Sequence, residues 1–221
     1  MPKRPRKQET IDRWQEKNWF LVYSPKYFGK VQIAEIPSTD DVLNRVIETT
    51  LYDITNDFSQ TYIKLYLKID QIDGNNAYTR FHGHDFTRDY LRSLVRRTTS
   101  QVKGIFNISI KADATPDAPI YRMRVTAVVF TQQRAKTSQQ KAIRVIMKQV
   151  IEDKAQKLSF IEFVQESVLG KIGSEIHNQA RVIVPIRKSE IMKTKIVSEP
   201  TTSAAWTPYF NFISSYYFDI P

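Results

Sequence analysis

Regularly spaced arginines in the segment 79–97, TRFHGHDFTRDYLRSLVRR, are the residues of this chain whose type and spacing best suit chemistry. Arg88, Arg92 and Arg96 are four residues apart, so on a helix they would share one side. A planar guanidinium can donate to two phosphate oxygens at once and is weakly hydrated, which suits phosphate binding. The spacing therefore predicts a helix that presents a row of positive charge. Its opposite side would be a buried apolar stripe of Phe86, Tyr90, Leu91, Leu94 and Val95.

Two histidines of the same segment, His82 and His84, lie next to Asp85 and could in principle hold a metal ion. A four-ligand site needs further donors, but the whole chain has three histidines and no cysteine. We therefore predict that this cluster is structural and that no metal is bound. Gly83 is expected to form the corner between a strand and the helix, and Asp85 or Thr87 to cap the helix start.

The chain lacks the sequence motifs that usually mark a catalytic or nucleotide-binding site. Its six glycines form neither a GxxxxGK(S/T) nor a GxGxxG pattern for binding nucleotide phosphates. It also has no GxSxG nucleophile motif and no cysteine that could act as a nucleophile. We predict a protein that is not an enzyme and needs no cofactor.

Composition narrows the class of protein and of partner. With 221 residues and 41% hydrophobic content, the chain can bury a sizeable core. Its formal net charge of +10 predicts a polyanionic partner, and nucleic acid is favoured because no lipid-insertion signal accompanies the charge. No apolar run approaches the roughly 20 residues of a spanning helix, and the basic start lacks the apolar core of a secretory signal. We expect a cytoplasmic protein with no membrane partner.

The charge is divided unevenly along the chain. Residues 1–30 carry eight basic and three acidic side chains, residues 80–104 six and two, and residues 122–157 nine and two. Residues 31–79 instead carry three basic and eight acidic side chains. This division predicts a basic side that binds RNA and an acidic side left to solvent or to basic protein neighbours.

The three basic segments supply the residues that we predict to bind RNA phosphates. Two of these residues, Arg122 and Arg124, alternate along a predicted strand, so they should point to the same side of a sheet. The full predicted set is Lys3, Arg4, Arg6, Lys7, Arg13, Arg80, Arg88, Arg92, Arg96, Arg97, Arg122, Arg124, Arg134, Lys136, Lys141, Arg144 and Lys148.

The elements that must position these residues are predicted to be mainly strands in the first part of the chain. β-Branched and aromatic residues predict short strands at 19–24, 30–36 and 45–54. The clearest signal is the alternation of apolar and polar residues at 61–72, followed by a turn and a second strand at 77–81. Strands 105–112 and 120–131 should form another hairpin. Strands of this number and length favour an antiparallel β-barrel, because closure removes exposed edges.

Helices are expected after the last of these strands. A cap at Thr137 or Ser138 predicts a long helix that ends near residue 157. Ser159 and Glu162 fit a capping box that starts a second helix, and a shorter helix is predicted at 174–180. The predicted fold class is therefore α+β, with an antiparallel β-barrel core flanked by α-helices.

We predict three parts: a basic N-terminal extension at 1–18, a barrel-plus-helices domain at 19–200 and a tail at 201–221. The tail contains seven aromatic residues, one acidic residue and no basic one. It could cover its own barrel, anchor in a neighbouring protein or stack on exposed bases, and the sequence leaves these alternatives open.

Four blocks of sequence carry a family resemblance: WFLVYSPKYFGKVQIAEIPSTDD, RVIETTLYDITNDFSQ, TRFHGHDFTRDYLRSLVRR and SQQKAIRVIMKQVIED. The most specific piece is the pattern F-x-G-x-D-x-(S/T)-R-D at residues 81–89. Over about residues 12–199 the chain resembles the archaeal and eukaryotic-type small-subunit ribosomal protein family S3Ae, called eS1 in unified naming.

The resemblance implies a β-barrel core flanked by helices and no catalytic activity. It also implies a seat on the platform of the small ribosomal subunit, near the mRNA exit and the 3′ end of the small-subunit rRNA. The partners would be that rRNA, neighbouring platform proteins and mRNA near the exit. An archaeal origin is favoured because the chain is short and lacks a lysine-rich ending.

We therefore predict a structural ribosomal protein, located on cytoplasmic ribosomes, that bridges rRNA phosphates without reading bases. One alternative is a free RNA-processing or RNA-remodelling factor, which would be found on RNA outside ribosomes. Another is a protein-binding adaptor that uses the acidic region 35–73 and the aromatic tail, and its binding would survive nuclease digestion.

Overall fold

The computed structural model describes residues 17–38, 42–113 and 118–200. Most of the predicted N-terminal extension and the whole predicted tail at 201–221 lie outside these described residues. The same holds for five members of the predicted RNA-binding set, namely Lys3, Arg4, Arg6, Lys7 and Arg13.

The described ranges contain eight strands and five α-helices, with most strands in the first part and three consecutive helices before the last strand. The strands are β1 (Asn18–Tyr23), β2 (Gln32–Ser38), β3 (Val46–Thr50), β4 (Ile63–Asp73), β5 (Asn76–Phe86), β6 (Gln101–Lys111), β7 (Ile120–Thr131) and β8 (Ile186–Ser198). The helices are α1 (Tyr52–Thr55), α2 (Arg88–Leu94), α3 (Thr137–Lys157), α4 (Phe160–Val168) and α5 (Lys171–Ala180).

The β4–β5 hairpin follows from its sequence pattern. Alternate residues of β4 from Ile63 to Ile69 are buried, and the residues between them face outward. Gly74 in the turn has a φ of 57°, a left-handed conformation that glycine adopts without a steric penalty. The predicted hairpin is present, although β5 continues to Phe86 instead of ending at residue 81.

The eight described strands form one mixed sheet. They are ordered β2-β1-β5-β8-β7-β6, while β4 pairs with β5 and β3 pairs with β4. β1 runs parallel to residues 76–78 of β5, and the other pairs are antiparallel. The α+β class is correct, but the predicted closed antiparallel barrel is not what the described residues form. β5 has three partners, so the sheet branches there, and it is open because the edge strands β2, β3 and β6 do not pair with one another.

The predicted strand at 45–54 is wrong after Thr50, because the chain turns there into α1. The carboxylate of Asp53 accepts hydrogen bonds from the Thr50 N–H at 2.9 Å and from the Thr49 hydroxyl at 3.0 Å. Partial burial would raise the pKa of Asp53, yet these hydrogen bonds lower it below its ordinary value. The ionised carboxylate thus stabilises the turn that ends β3.

Helices α3, α4 and α5 cover the inner face of the sheet. α3 packs on β6 and α5 packs on β8, and Ile143, Met147 and Ile151 of α3 are fully buried. The predicted capping box of α4 is also present, since the Glu162 carboxylate accepts from the Ser159 N–H at 3.0 Å. None of the helices in the described part of the chain combines the length and apolarity that crossing a bilayer requires.

The expected cap of α3 at Thr137 or Ser138 is wrong by one or two residues. The N-cap is Lys136, and its backbone N–H donates to the Gln139 side chain at 2.9 Å. A glutamine at the third helical position thus satisfies the N–H of the N-cap residue, which is one half of a capping box.

Candidate nucleic-acid interface

The arginine helix is shorter than its spacing predicts. α2 ends before Val95, which is in an extended conformation and 52% exposed. Arg88 and Arg92 are exposed on the helix, whereas Arg96 and Arg97 are exposed in the loop that follows. The predicted row of three helical arginines is therefore wrong, and the structure instead presents two arginines on the helix and two beyond it.

An aromatic cluster, in place of a continuous apolar stripe, anchors α2. Tyr90 stacks on Tyr62, with ring centroids 3.8 Å apart, and meets Phe86 edge-on at 5.5 Å. Its hydroxyl donates to the Glu190 carboxylate of β8 at 3.1 Å. Burial and the charge of Glu190 raise the pKa of the Tyr90 hydroxyl. These contacts fix the orientation of the helix that carries Arg88 and Arg92.

Gly83 has a different role from the predicted corner between strand and helix. It lies inside β5, where a Cβ atom would be 2.5 Å from the backbone oxygen of Thr194 in β8. Only glycine lets the two strands approach so closely. The expected caps also differ: Thr87 occupies the N-cap of α2 without a side-chain capping bond, and Asp85 pairs with Lys193 at 2.8 Å.

His84 is a buried structural residue. Its Nδ1 accepts from the Thr194 hydroxyl at 2.7 Å, and its Nε2–H donates to the Ile191 carbonyl at 3.1 Å. Complete burial favours the neutral ring and lowers the pKa of His84 to about 4. Burial also lowers the pKa of His82. Among the described residues, no three or more histidine, cysteine, aspartate or glutamate side chains lie close enough together to hold a metal ion.

Arg122 and Arg124 are exposed on the outer face of the sheet, on the same side of β7, as their alternation predicts. The Arg124 side chain donates to Asn107 of β6 at 3.1 Å. On the other side, strand register places Lys195 of β8 opposite Arg124. Lys195 is exposed and was missed from sequence, where only its alternation with Lys193 hints at a common face.

The rest of the third basic segment is exposed as well. Arg134, Lys136 and Lys141 lie at the surface between β7 and the first turns of α3. The Arg144 side chain donates to the Lys103 carbonyl of β6 at 3.0 Å, which holds it beside the sheet. Lys148 is 3.7 Å from Glu152 one turn later. The segment thus continues the positive charge from the strand face to the side of α3.

Arg80 differs from the other predicted RNA-binding residues because carboxylates surround it. Its guanidinium lies 2.6 Å from Glu199 and 3.5 Å from Asp70, and Lys68 is 3.9 Å from the same Glu199. A phosphate would have to compete with these two carboxylates for Arg80. Its role in RNA binding stays a prediction.

The cations of the outer surface therefore fall into two groups. In the first group, carboxylate partners are present; this group is Lys64, Lys68, Arg80, Lys148 and Lys193. In the second group, no carboxylate of the described chain lies within ion-pair distance. That second group is Arg88, Arg92, Arg96, Arg97, Arg122, Arg124, Arg134, Lys136, Lys141, Arg144 and Lys195.

An α+β sheet protein whose surface carries unpaired arginines has the features of a basic nucleic-acid-binding scaffold. Comparison with known proteins narrows this class. A family model described as the Ribosomal S3Ae family matches residues 5–200, and the chain belongs to that family.

Curated relatives agree over almost their whole length, and each is named small ribosomal subunit protein eS1. The relative from Archaeoglobus fulgidus is 44% identical over 204 residues, which cover 90% of this chain and 93% of the relative. The one from Desulfurococcus amylolyticus is 47% identical over 192 residues, covering 86% and 87%. The one from Staphylothermus marinus is 42% identical over 203 residues, covering 91% and 92%. The family consists of ribosomal proteins and not of enzymes.

Proposed function

We propose that this protein is a structural component of the small ribosomal subunit that binds rRNA by contacting phosphates of separate RNA segments. Membership of the Ribosomal S3Ae family and the names of the relatives support the ribosomal role. The absence of catalytic motifs and the exposed arginines agree with binding by position and charge, without base-specific readout.

The observation that carries the RNA-binding part is the lack of carboxylate partners around the exposed arginines. Arg88, Arg92 and Arg122 are held on a helix or strand, yet no acidic side chain among the described residues neutralises them. Such residues add little to the stability of the protein itself. Each one offers an RNA phosphate a rigid donor that can form two hydrogen bonds. Exposed, positioned and unpaired arginines therefore point to a polyanion as their partner.

The finer position in the subunit is also part of this proposal. We place the protein on the platform, near the mRNA exit and the 3′ end of the small-subunit rRNA, with platform proteins and mRNA as further neighbours. The family resemblance supports this position. The acidic segment at 31–79 suits a protein neighbour better than RNA, because its carboxylates would repel phosphates.

Reversal of the two helical arginines tests the proposal. In cells that carry a tagged second copy, the double change Arg88→Glu and Arg92→Glu should lower incorporation into small subunits at least about tenfold, because it replaces two phosphate contacts by repulsion. Quantitative detection of the tag across a sedimentation gradient of cell extract measures this incorporation. The purified variant should keep its free energy of unfolding within about 0.5 kcal/mol.

Arg45→Glu with Arg181→Glu is the matched control, since both arginines are exposed, both lie outside the three basic segments, and the change in charge is the same. This control should enter small subunits normally. Equal incorporation of both double variants would contradict the proposed contact. Sedimentation of the unchanged protein with RNA outside ribosomes would instead favour the free RNA-processing factor.

A further inference from the structure

An exposed pair of aromatic rings lies on the segment between β3 and β4. Phe58 is 81% exposed, the largest exposure of any aromatic residue in the part of the chain that the structure describes. Tyr52 of α1 is 37% exposed, and its ring meets Phe58 edge-to-face with the centroids 5.9 Å apart. Single exposed apolar residues are common on protein surfaces, but two rings in contact form an apolar surface that the fold leaves uncovered.

The turn that presents Phe58 is held by its own polar groups. The Asp57 carboxylate accepts hydrogen bonds from the Ser59 N–H at 3.0 Å and from the Gln60 side chain at 3.0 Å. The Thr61 hydroxyl donates to the Phe58 carbonyl at 2.8 Å. The turn is therefore complete without the Phe58 ring, and a side chain on a fixed backbone loses little freedom when it binds a partner.

Two carboxylates flank the rings, because Asp53 follows Tyr52 and Asp57 precedes Phe58 in the sequence. Both are exposed, and no cation of the described chain lies within ion-pair distance of either. Hydrogen bonds from the Ser59 hydroxyl and N–H lower the pKa of Asp57, so its carboxylate stays ionised. We call these two rings and two carboxylates the aromatic–acidic patch.

The combination of rings and carboxylates favours a cation over a nucleic acid. An aromatic face attracts a guanidinium or ammonium group, and a nearby carboxylate adds a charge-assisted hydrogen bond. A nucleobase could stack on Phe58, but both carboxylates would repel its phosphates. The wider segment 31–79 carries eight acidic and three basic side chains, and two of those three, Lys64 and Lys68, are already paired with glutamates. The charge around the patch therefore complements a basic partner.

We propose that the aromatic–acidic patch binds a basic segment of a neighbouring protein, in which an arginine side chain stacks on Phe58 and pairs with Asp57 or Asp53. This contact rests on the proposed function and gives the acidic segment a specific kind of neighbour. Arginine fits better than lysine, because its planar group can lie flat on a ring and still donate to a carboxylate in its own plane. The patch is small, so it acts as one anchor within a larger contact.

Binding of a synthetic peptide of alternating arginine and alanine to the full chain tests the chemistry of the patch. A matched peptide carries citrulline in place of arginine, which keeps the shape of the side chain and removes its charge. The arginine peptide should shift the amide resonances of Asp53, Asp57 and Phe58. The citrulline peptide should bind about tenfold more weakly, because it offers neither the ion pair nor the full cation–π attraction.

Removal of the exposed ring tests the residues of the patch. Phe58→Ala should weaken binding of the arginine peptide about tenfold, whereas Phe58→Tyr, which keeps a ring, should bind as the unchanged protein does. Val182→Ala is the matched control, since Val182 is 86% exposed and lies outside the patch. All three variants should unfold at the same urea concentration as the unchanged protein. Equal binding by Phe58→Ala and Val182→Ala, or equal binding of the two peptides, would overturn the proposal.

A photocrosslinker in place of Phe58 identifies the neighbour in cells. In small subunits that carry Phe58→p-benzoylphenylalanine, irradiation should attach the chain to an arginine-containing segment of another protein, and mass spectrometry of the crosslinked peptide gives its sequence. Val182→p-benzoylphenylalanine controls for exposure alone and should not give this product. Attachment at position 58 to rRNA, to a second copy of this chain, to a segment without basic residues or to nothing would overturn the proposal.

Failure of the patch and failure of the proposed function give different results. If the patch does not bind a basic segment, the unchanged chain still enters small subunits, while peptide binding does not depend on Phe58. If the ribosomal function is wrong, the tagged unchanged chain is missing from small subunits. The peptide experiment then still decides whether the patch binds arginine.

Discussion

The outer face of the sheet has two halves that carry similar numbers of cations in different electrostatic environments. In the half formed by β4 and β5, Lys64 lies 2.5 Å from Glu48, and Arg80 lies 2.6 Å from Glu199. In the half formed by β7 and the end of β8, Arg122, Arg124 and Lys195 have no carboxylate partner among the described residues. Lys193, paired with Asp85, marks the boundary between the halves.

This difference shows that a count of basic residues does not locate a polyanion interface. A paired cation is already neutralised, and a phosphate that binds it must separate an existing ion pair and leave the carboxylate without its partner. An unpaired cation needs only to release water and counterions. The β7–β8 half is therefore the stronger candidate for RNA contact, although both halves contribute to the positive net charge.

Gly83, where the two halves join, gives the most direct test of this comparison. Gly83→Ala should destabilise the protein by about 4 kcal/mol, since a methyl group would clash with the Thr194 backbone, which has little room to move. Urea unfolding measures this loss. Gly74→Ala is the control, because nothing lies within 4 Å of the added atom and only its left-handed φ of 57° gives strain of about 1–2 kcal/mol. Equal losses for the two variants would show that the strands at the junction can separate freely.

At low pH, protonation of His84 should destabilise the same junction from the inner face of the sheet. The pKa of His84 is about 4 in the folded protein against an ordinary value of 6.5, so the unfolded chain binds this proton first as the pH falls. Stability from the neutral ring is fully present above pH 6.5 and is lost progressively down to about pH 4, by about 3 kcal/mol in total. Unfolding free energies across this range check the loss, and His84→Gln should show a smaller slope. A ring resonance of His84 that titrates near its ordinary pKa would contradict the prediction.

Two variants, a double one in the β7–β8 half and a single one in the β4–β5 half, sharpen the comparison. Arg122→Glu with Arg124→Glu should weaken RNA binding about 10- to 100-fold and reduce the salt slope by roughly 1.5 to 2, with stability unchanged. Arg80→Met should instead lower stability by about 1 kcal/mol, because Glu199 loses its closest partner, and should leave RNA affinity within about threefold. Filter binding over a salt series and urea unfolding measure both effects.

The opposite result is as informative for Arg80. If Arg80→Met weakens RNA binding as much as the double reversal does, the paired half also contacts RNA and the division between the halves fails. The predicted role of Arg80 would then be correct, and its carboxylate partners would have to exchange for phosphate on binding.

Local patterns were sufficient for several elements of this fold. The β4–β5 hairpin was predicted by period-two alternation and a turn signal, and the capping box at Ser159 by two residues three positions apart. The common side of Arg122 and Arg124 followed from strand geometry alone. Each of these features depends on residues that are close in sequence, so the pattern that predicts it is complete within one segment.

Features that join distant segments could not be predicted in the same way. Lys195 lies beside Arg124 only because of the β7–β8 register, and the Arg80–Glu199 pair joins residues 119 positions apart. The close packing at Gly83 and the parallel β1–β5 pair likewise depend on which strands become neighbours. Propensity and periodicity do not contain this information, so the sequence pattern identified basic segments but not which of their cations are free.

The three partners of β5 have a consequence for how the polypeptide acquires its structure during synthesis. β5 meets β4 locally, but its contact with β8 brings together residues such as His84 and Thr194, which are 110 positions apart. Long-range pairing of this kind slows folding, because a large loop must close before the contact forms. The central strand therefore stays incomplete until β8 has been synthesised, and the β7–β8 half of the outer face cannot complete its strand pairing before then.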